Sequence, residues 1–263
     1  MSSLVTKVKL KHIEQFIEKG KRLDDRGLID TREIKIEQGI IEKAEGSARV
    51  FLGKTEILVG VKVETGEPFP DTPNDGVMTV NAELVPLAHP DFEPGPPDEK
   101  SIELARVVDR GIRESHAINT EKLCIEPGKK VFVVFVDIYV LNHDGNLIDA
   151  SAMASMAALM NTKMPNYELK DGELKIKQGY TPLPMKSHPI TVTIGKINNK
   201  LIIDPGLEEE SVMDSRITFA INEDGNICAV QKGGSSFFTP QQILEASKIA
   251  LDKAAELRKK LNW

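Results

Sequence analysis

The stretch Lys130–Asn161, KVFVVFVDIYVLNHDGNLIDASAMASMAALMN, carries the clearest fold signal in the chain. Its first part, Val131 to Leu141, is a long apolar run of the kind found in a strand at the middle of a sheet. A tight turn at Asp144-Gly145 follows, and the remainder is typical of a helix rich in Ala, Ser and Met. Because its side chains are small, this helix allows another backbone to approach closely. The stretch therefore predicts a strand–turn–helix unit at the centre of the fold.

The turn before this helix has the backbone arrangement of an anion site, since the first N–H groups of a helix lack partners within it. The residues at that position are Asn146, Leu147 and Ile148. The side chains of Leu147 and Ile148 cannot donate a hydrogen bond, and no Arg, Lys, Ser or glycine run accompanies them. The sequence thus predicts the scaffold of an anion site without its usual ligands.

Composition bounds the class of protein. The chain has 263 residues, of which 40% are apolar and 28% charged, as is ordinary for a soluble globular protein. We expect no membrane span, no signal peptide and a cytoplasmic location, because no apolar run is long enough and Cys124 and Cys228 form no paired motif. The net charge of −6 argues against a basic surface over the whole chain, although a local basic patch remains compatible with it. The scattered histidines show no metal-binding spacing, so we expect no metal site.

Outward from the central unit, the pattern alternates between strand hairpins and long helices. Two-residue turn signals occur at Asp171-Gly172, Asn198-Asn199 and Asp224-Gly225. A helix is predicted to begin at Asp98, and another at Thr239-Pro240, where a capping-box pattern precedes a long amphipathic stretch. We predict one α+β domain over residues 1–263. It comprises an N-terminal helix and arm (1–30) and two β-rich halves (about 31–125 and 126–263), with helices packed between and against mixed sheets.

A stripe of arginines lies on the helix that starts at Asp98. Arg106, Arg110 and Arg113 follow at spacings that place them on one face, where their guanidinium groups can hold phosphates. The alternative is a solvated face in which these arginines pair with acidic neighbours. The apolar positions predicted for the opposite face are Ile102, Ala105, Val108 and Ile112. The acidic neighbours are Glu103, Asp109 and Glu114.

A carboxylate cluster follows a short apolar strand. Asp204, the run Glu208–Glu210 and Asp214 could bind Mg²⁺ or supply a general acid, or could form a solvated acidic loop. The segment Lys232–Ser236, KGGSS, resembles a phosphate-binding loop only loosely, and a flexible loop is the alternative.

Several stretches together resemble the ribonuclease PH family, and in particular the RNase PH-like subunits of the archaeal exosome. DDRG (Asp24–Gly27) resembles the entry motif of that family, although Asp25 stands where the motif has Gly. EGSARVFLGKTEILVGVK (Glu45–Lys62) resembles its first hairpin, and the block Asn81–Ser115 is long and specific. The segments DGNLIDASAMASMAAL and IIDPGLEEESVMD add to the resemblance, which is greatest to the catalytically silent subunit.

This resemblance implies the RNase PH fold and a phosphorolytic 3′→5′ exoribonuclease complex, in which phosphate attacks the terminal phosphodiester. Active members hold that phosphate with Ser or Thr and Arg, at positions that correspond here to Leu147 and Ile148 beside Asn146. The paired carboxylates correspond to Asp204 and Glu210, so these five residues are interpreted as vestigial. No catalytic residue, cofactor or metal is expected in this chain, and phosphate and Mg²⁺ would belong to the partner's active site.

The resemblance also implies a role and partners. We expect a non-catalytic, RNA-holding subunit in an alternating hexameric ring with the active RNase PH-like subunit, together with RNA and RNA-binding cap subunits. Arg106, Arg110 and Arg113 are expected to touch RNA. Three alternatives stay open: an active phosphorolytic enzyme that uses Lys232 with Gly233-Gly234, a Mg²⁺-dependent hydrolase that uses the Asp204 cluster, and a scaffold without RNA contacts.

Overall fold

The computed structural model describes residues 4–170 and 173–263, so the turn predicted at Asp171-Gly172 lies outside the described residues. The expected α+β architecture with mixed sheets is confirmed. The helices are α1 (Leu4–Glu18), α2 (Glu99–Glu114), α3 (Leu147–Met160), α4 (Leu207–Glu210) and α5 (Pro240–Leu261), and a 3₁₀ turn spans Thr120–Leu123.

The first sheet has six strands, β1 (Ile34–Gln38), β2 (Gly46–Leu52), β3 (Thr55–Gly66), β4 (Val77–Leu84), β5 (Cys124–Glu126) and β6 (Lys130–Asn142). Their order is β1-β2-β3-β6-β4, and β5 pairs with the start of β6. The pair β4–β6 is parallel, and the other neighbours are antiparallel. The central position predicted for the apolar strand is therefore confirmed, since β6 is paired on both sides.

The remaining strands form a hairpin and a second sheet. They are β7 (Lys163–Lys170), β8 (Glu173–Pro182), β9 (Ile190–Ile197), β10 (Lys200–Ile203), β11 (Ser215–Ile221) and β12 (Ile227–Gly234). The pair β7–β8 stands alone, and the second sheet has the antiparallel order β10-β9-β11-β12. β6 belongs to the first sheet although it follows residue 126, so the two sheets do not divide the chain at that position.

Helix α3 lies between the two sheets, and every residue from Ile148 to Leu159 is buried. It packs on β2 and β3 of the first sheet and on β9 of the second, and α2 lies against it. The alanines of α3 permit this close approach from several sides, as the sequence predicted. The α5 helix covers the opposite face of the second sheet, where Ala246, Ala250 and Ala254 enter its apolar core.

Two details of the prediction were wrong. Ile102, expected on the buried face of α2, is 46% exposed, because the buried stripe instead runs through Leu104, Val107, Val108 and Ile112. The segment Lys232-Gly233-Gly234, expected to be a flexible loop, forms the end of β12 and pairs with β11. No helix in the described part of the chain is long and apolar enough to cross a membrane.

Candidate functional site

The turn that precedes α3 is buried and closely packed. Asn146 is the N-cap residue, 3% exposed, and it adopts a left-handed conformation with φ 51° and ψ 49°. Gly145 has φ 90°, and a Cβ atom there would lie 2.5–2.6 Å from backbone atoms of residues 205–207. Glycine is needed at this position because that second backbone crosses directly in front of the helix end.

A carboxylate of the same chain occupies the start of α3. The backbone N–H of Asn146 donates to Oε1 of Glu210 at 2.8 Å, and Glu210 comes from the short helix α4. The side-chain amide of Asn146 donates to Asp149 and to Asp204, each at 3.0 Å. The helix terminus that the sequence predicted to be an empty anion site therefore already contacts an internal anion, where the helix dipole favours one.

Asp204 is 1% exposed and lies between two arginines. Arg32 donates to both of its oxygens, from Nη2 at 2.7 Å and from Nε at 3.0 Å, and Arg26 donates from Nη1 at 2.9 Å. Burial by itself would raise the pKa of Asp204, but the hydrogen bonds and charge of Arg32 hold that pKa below its usual value. Arg32 also donates to the carbonyls of Asp144 and Gly145, so it ties the turn before α3 to Asp204.

A third arginine pairs with the middle glutamate of the acidic run. Arg22 is 1% exposed and forms a bidentate ion pair with Glu209, and it also donates to the carbonyls of Ile203 and Asp204. Asp204 and Glu209 are thus held by arginines and Glu210 by the Asn146 N–H, so these three residues do not form a solvated loop, whereas Glu208 is exposed.

Two carboxyl groups at this site have strongly raised pKa values. Burial raises the pKa of Asp149 to about 7, although hydrogen bonds from Asn146 and Thr193 partly offset the effect. Burial likewise raises the pKa of Glu210 to about 7, against the Asn146 N–H and the charges of Arg216 and Arg32. Nearby, burial lowers the pKa of His143 to about 4, and this imidazole stacks on Phe92.

The residues predicted to replace phosphate ligands are apolar in structure as well as in sequence. Ile148 is 8% exposed and belongs to the main core, and Leu147 is half-buried and packs against the same core. Both side chains therefore face packed apolar surface. Of the three positions, only Asn146 offers a polar side chain, and its amide N–H groups already have carboxylate partners.

The three arginines of α2 are exposed, and none of them contacts Asp204, Glu209 or Glu210 among the described residues. Arg113 forms an ion pair with Asp109 at 2.6 Å, and Arg110 donates to the side chain of Gln231 on β12 at 2.7 Å. Arg106 has no hydrogen bond or ion pair with any residue that the structure describes. Glu103, a predicted partner of the stripe, instead pairs with Arg216 at 2.7 Å. The alternative of a fully paired face therefore holds only for Arg113.

Residues 30–165 match the family model described as "3' exoribonuclease family, domain 1", and residues 187–253 match "3' exoribonuclease family, domain 2". The chain belongs to the 3′ exoribonuclease family. The expected resemblance to exosome subunits is confirmed as well. The chain is 56% identical to the "Exosome complex component Rrp42" of Pyrococcus horikoshii, over 98% of this chain and 95% of that protein. It is 48% identical to the protein of the same name from Methanothermobacter thermautotrophicus, over 97% and 94% of the two chains.

Comparison with solved structures supports the same family assignment. One chain of a structure described as "archaeoglobus fulgidus exosome with RNA bound to the active site" superposes with a TM-score of 0.91 at 48% identity, covering 98% of this chain and all of that one. A chain of an "Archaeal exosome core" superposes with a TM-score of 0.87 at 44% identity, over 99% and 98%. The RNase PH fold expected from the sequence is thereby confirmed.

Sequence reasoning missed Arg22, Arg26 and Arg32, which share one polar segment of this family member. That segment, Gly20–Glu33, has no periodic pattern, and such a segment predicts only a loop. The segment also contains acidic residues of its own, and Arg26 does pair with Asp24. Its charge pattern therefore gave no signal for the distant contacts with Asp204 and Glu209.

Proposed function

We propose that this chain is a non-catalytic structural and RNA-binding subunit of a phosphorolytic 3′→5′ exoribonuclease ring. It would alternate with the active RNase PH-like subunit in a hexamer in the cytoplasm, with RNA-binding cap subunits on the ring. Phosphate and any Mg²⁺ would act at the partner's site. The names of the relatives and of the superposed structures support membership of an exosome.

The single observation that carries the non-catalytic part is the contact of Glu210 with the backbone N–H of Asn146. Phosphorolysis requires a phosphate dianion to be held by donors and cations while charge develops on the transferred group. Here the helix N–H binds a carboxylate of the same chain, and the neighbouring arginines bind Asp204 and Glu209. A second anion at this position would meet negative charge and apolar side chains.

Electrostatics of the surrounding groups support the same proposal. Asp149, Asp204 and Glu210 lie around Asn146, joined to it by its amide and backbone N–H groups. Of these three carboxyl groups, Asp204 alone forms direct ion pairs with Arg32 and Arg26. An approaching phosphate would therefore need to displace Glu210 and leave that carboxylate without its donor.

The RNA-binding part rests on α2. Arg106 and Arg110 extend from an exposed helix face, and Arg106 carries no competing ion pair among the described residues. Guanidinium groups hold phosphates without reading the base, which suits a complex that degrades RNA of any sequence. The chain's net charge of −6 fits a local patch on a subunit whose partner supplies further basic surface.

The two enzymatic alternatives have less support. Lys232, the substitute phosphate ligand of an active enzyme, donates to the carbonyl of Gly234 at 2.6 Å. The metal-dependent hydrolase needs Asp204 as a ligand, but both Asp204 oxygens accept hydrogen bonds from Arg32. A pKa of about 7 for Glu210 would suit a general acid, but its Oε1 atom accepts the backbone N–H of Asn146 and so links α4 to α3.

The test is a phosphorolysis assay on three samples: this chain alone, the active RNase PH-like partner alone, and the two together. We expect phosphate-dependent release of nucleoside diphosphates only when the partner is present, with higher activity in the mixture than with the partner alone. The variant Glu210→Gln of this chain in the mixture serves as a control, because its amide oxygen can still accept the Asn146 N–H, and it should leave the assembled activity unchanged. Release of nucleoside diphosphates by the chain alone would contradict the proposal.

A further inference from the structure

Lys196, on β9, is a buried lysine without an acidic partner. The residue is 6% exposed, and no Asp or Glu in the described part of the chain forms an ion pair with it. Its ammonium group donates to the carbonyl of Phe237 and, at 3.3 Å, to the hydroxyl of Ser236. It also lies 5.2 Å and 5.4 Å from the ring centres of Phe237 and Phe238.

This arrangement leaves a positive charge uncompensated. Buried lysines are rare unless a counter-charge accompanies them, because removing an ammonium group from water is costly. Two neutral oxygens and two aromatic rings offset part of that cost, but none of them carries a negative charge. The site is therefore one anion short.

A second polar group beside Lys196 also lacks a partner. Ser215 is directly opposite Lys196 on the neighbouring strand β11, so the two side chains share one face of the sheet. Ser215 is 1% exposed, and its hydroxyl oxygen has no hydrogen-bond partner among the described residues. Its next neighbour across the sheet is Gly234, whose backbone packs directly on it, because a Cβ atom there would lie 2.8 Å from the Cα of Ser215. Gly234 is itself exposed at the edge strand β12, so the Ser215 hydroxyl lies beneath a backbone that borders solvent.

The rim of this row carries an exposed aromatic ring and a basic strand. Phe237 is 74% exposed directly above Lys196. Lys232 of β12 lies on the same face as Lys196, whereas the side chain of Gln231, which accepts a hydrogen bond from Arg110 on α2, lies on the opposite face. The α2 arginines and Phe237 are therefore on opposite faces of this sheet, on either side of the exposed edge strand β12.

We propose that Lys196, Ser215, Ser236 and Phe237 form a subsite for one nucleotide of single-stranded RNA. A phosphate oxygen would accept hydrogen bonds from the Lys196 ammonium and the Ser236 hydroxyl and, with a shift of the Gly234 backbone that covers it, from the Ser215 hydroxyl, and a base would stack on the ring of Phe237. This pairing of cation and aromatic ring is the usual way in which proteins hold single strands irrespective of sequence. The inference rests on the proposed RNA-binding function, and it extends the contact surface beyond α2.

A protein partner that inserts a carboxylate is the competing occupant. RNA is favoured because one ligand then accounts for three features together: the missing anion, the orphan hydroxyl and the exposed flat ring.

Fluorescence provides the direct test, because the chain has a single native tryptophan, Trp263. Phe237→Trp places a second indole at the proposed stacking position. Tyr180→Trp is the matched control, since Tyr180 is 71% exposed on the separate β7–β8 hairpin. Both proteins are titrated with oligoadenylate and, separately, with inorganic phosphate, as the chain alone and in the ring with the active partner.

We expect oligoadenylate to quench Phe237→Trp and not Tyr180→Trp. Adding Lys196→Met to Phe237→Trp should weaken the affinity for oligoadenylate by about 5-fold or more, in line with the loss of a subsite that combines stacking with a phosphate contact. If Lys196→Met does not fold, Ser215→Ala replaces it in the test, because it removes only an unpartnered hydroxyl. This variant should also weaken the affinity for oligoadenylate.

Three results would overturn the inference. In the first, neither Lys196→Met nor Ser215→Ala changes the quenching by oligoadenylate. In the second, the protein responds to inorganic phosphate and not to oligoadenylate. In the third, ring assembly buries the new indole and RNA causes no further response. The last would assign Phe237 to a protein interface. The triple variant Arg106→Glu, Arg110→Glu and Arg113→Glu is measured alongside. If this variant loses RNA binding and the indole at position 237 never responds to RNA, the inference about this subsite is rejected and the proposed function stands. If no form of the protein binds RNA, the proposed RNA-binding function is rejected.

Discussion

The Oε1 atom of Glu210 lies 2.8 Å from the backbone nitrogen of Asn146 and accepts its hydrogen bond at the start of α3. A helix start of this kind attracts anions from solution in many proteins, because its N–H groups and its dipole both favour negative charge. In this chain the acidic group at the helix start is the side chain of Glu210 itself. The contact therefore links α3 to α4 at a position where other helices bind a ligand.

The first prediction concerns restoring a phosphate site. The double variant Leu147→Ser, Ile148→Arg should not bind phosphate, because Glu210 still occupies the Asn146 N–H. Adding Glu210→Gly to that variant should create phosphate affinity, seen as a rise in melting temperature with phosphate concentration. The Ile148→Arg substitution places a guanidinium group where a buried isoleucine packs, so the melting temperature without phosphate should fall in both variants.

Glu210→Gly alone is the control for that experiment, since it frees the N–H without supplying a guanidinium group. Binding of phosphate by the double variant with Glu210 intact would show that the internal carboxylate does not block the site. No binding even by the triple variant would show that other parts of the site are also missing.

A second prediction concerns Arg32 and the buried charge of Asp204. Arg32→Met should destabilise the fold by about 3 kcal/mol or more, because one partner of a buried ion pair is then left without its main counter-charge. Arg26 would remain but contacts only one of the Asp204 oxygens. Urea unfolding of the purified chain measures the change in free energy.

The matched control is Arg113→Met, which breaks an exposed ion pair with Asp109 on α2. Such surface pairs contribute about 0–1 kcal/mol, so this variant should unfold close to the parent. The double variant Arg32→Met, Asp204→Asn should recover part of the stability, since it removes the unpaired charge. Equal losses for Arg32→Met and Arg113→Met would contradict the role given to Arg32.

The sequence was sufficient for the architecture because the decisive stretches have strong patterns. The apolar run Val131 to Leu141 indicated a strand in the middle of a sheet, and the small residues of α3 indicated a closely packed helix. Turn pairs such as Asn198-Asn199 and Asp224-Gly225 also predicted the correct hairpins. In each of these cases, local chemistry and the tertiary environment favour the same structure.

The candidate site was less predictable because its contacts are distant in sequence. Arg22 and Glu209 are 187 residues apart, and Arg32 and Asp204 are 172 apart. No periodic pattern reports such pairs. The sequence did indicate that the α3 start lacks phosphate ligands, but it could not show that Glu210 takes their place. The strand at Lys232–Gly234 was missed because glycines weaken strand patterns, even though Gly234 pairs at a sheet edge.

The third prediction concerns pH and Asp149. Burial raises the pKa of this carboxyl to about 7 in the folded protein, from 3.8 as its ordinary value. The folded chain therefore binds more protons than the unfolded chain between about pH 4 and pH 7, and this group's contribution to stability is lost as pH rises through that window. Asp149→Asn keeps an amide oxygen that can accept from the backbone N–H of Thr193 and carries no charge at any pH, so this variant should gain stability relative to the parent as pH rises.

The measurement is the free energy of unfolding of the parent and of Asp149→Asn at several pH values between about 4.5 and 8. Taking the difference between the two proteins matters, because His143 acts in the opposite direction: its pKa of about 4 removes stability as pH falls below 6.5. A difference between parent and variant that does not change with pH would contradict the raised pKa of Asp149.

The last prediction concerns the arginine stripe and salt. In the ring with the active partner, Arg106→Gln should weaken RNA binding more than Arg113→Gln, because Arg113 is already paired with Asp109 while Arg106 has no ion pair among the described residues. Each phosphate that a variant no longer neutralises should also reduce the slope of log affinity against log salt by about 0.7 for a single strand. Lys129→Gln, an exposed cation paired with Glu126 beside the start of β6, is the matched control and should leave both quantities unchanged. Affinities are measured across a range of salt concentrations. Loss of one phosphate contact reduces the slope by about 0.7, whereas damage to the ring would reduce activity without that change in slope. Equal effects of Arg106→Gln and Lys129→Gln would contradict RNA contact by the α2 stripe.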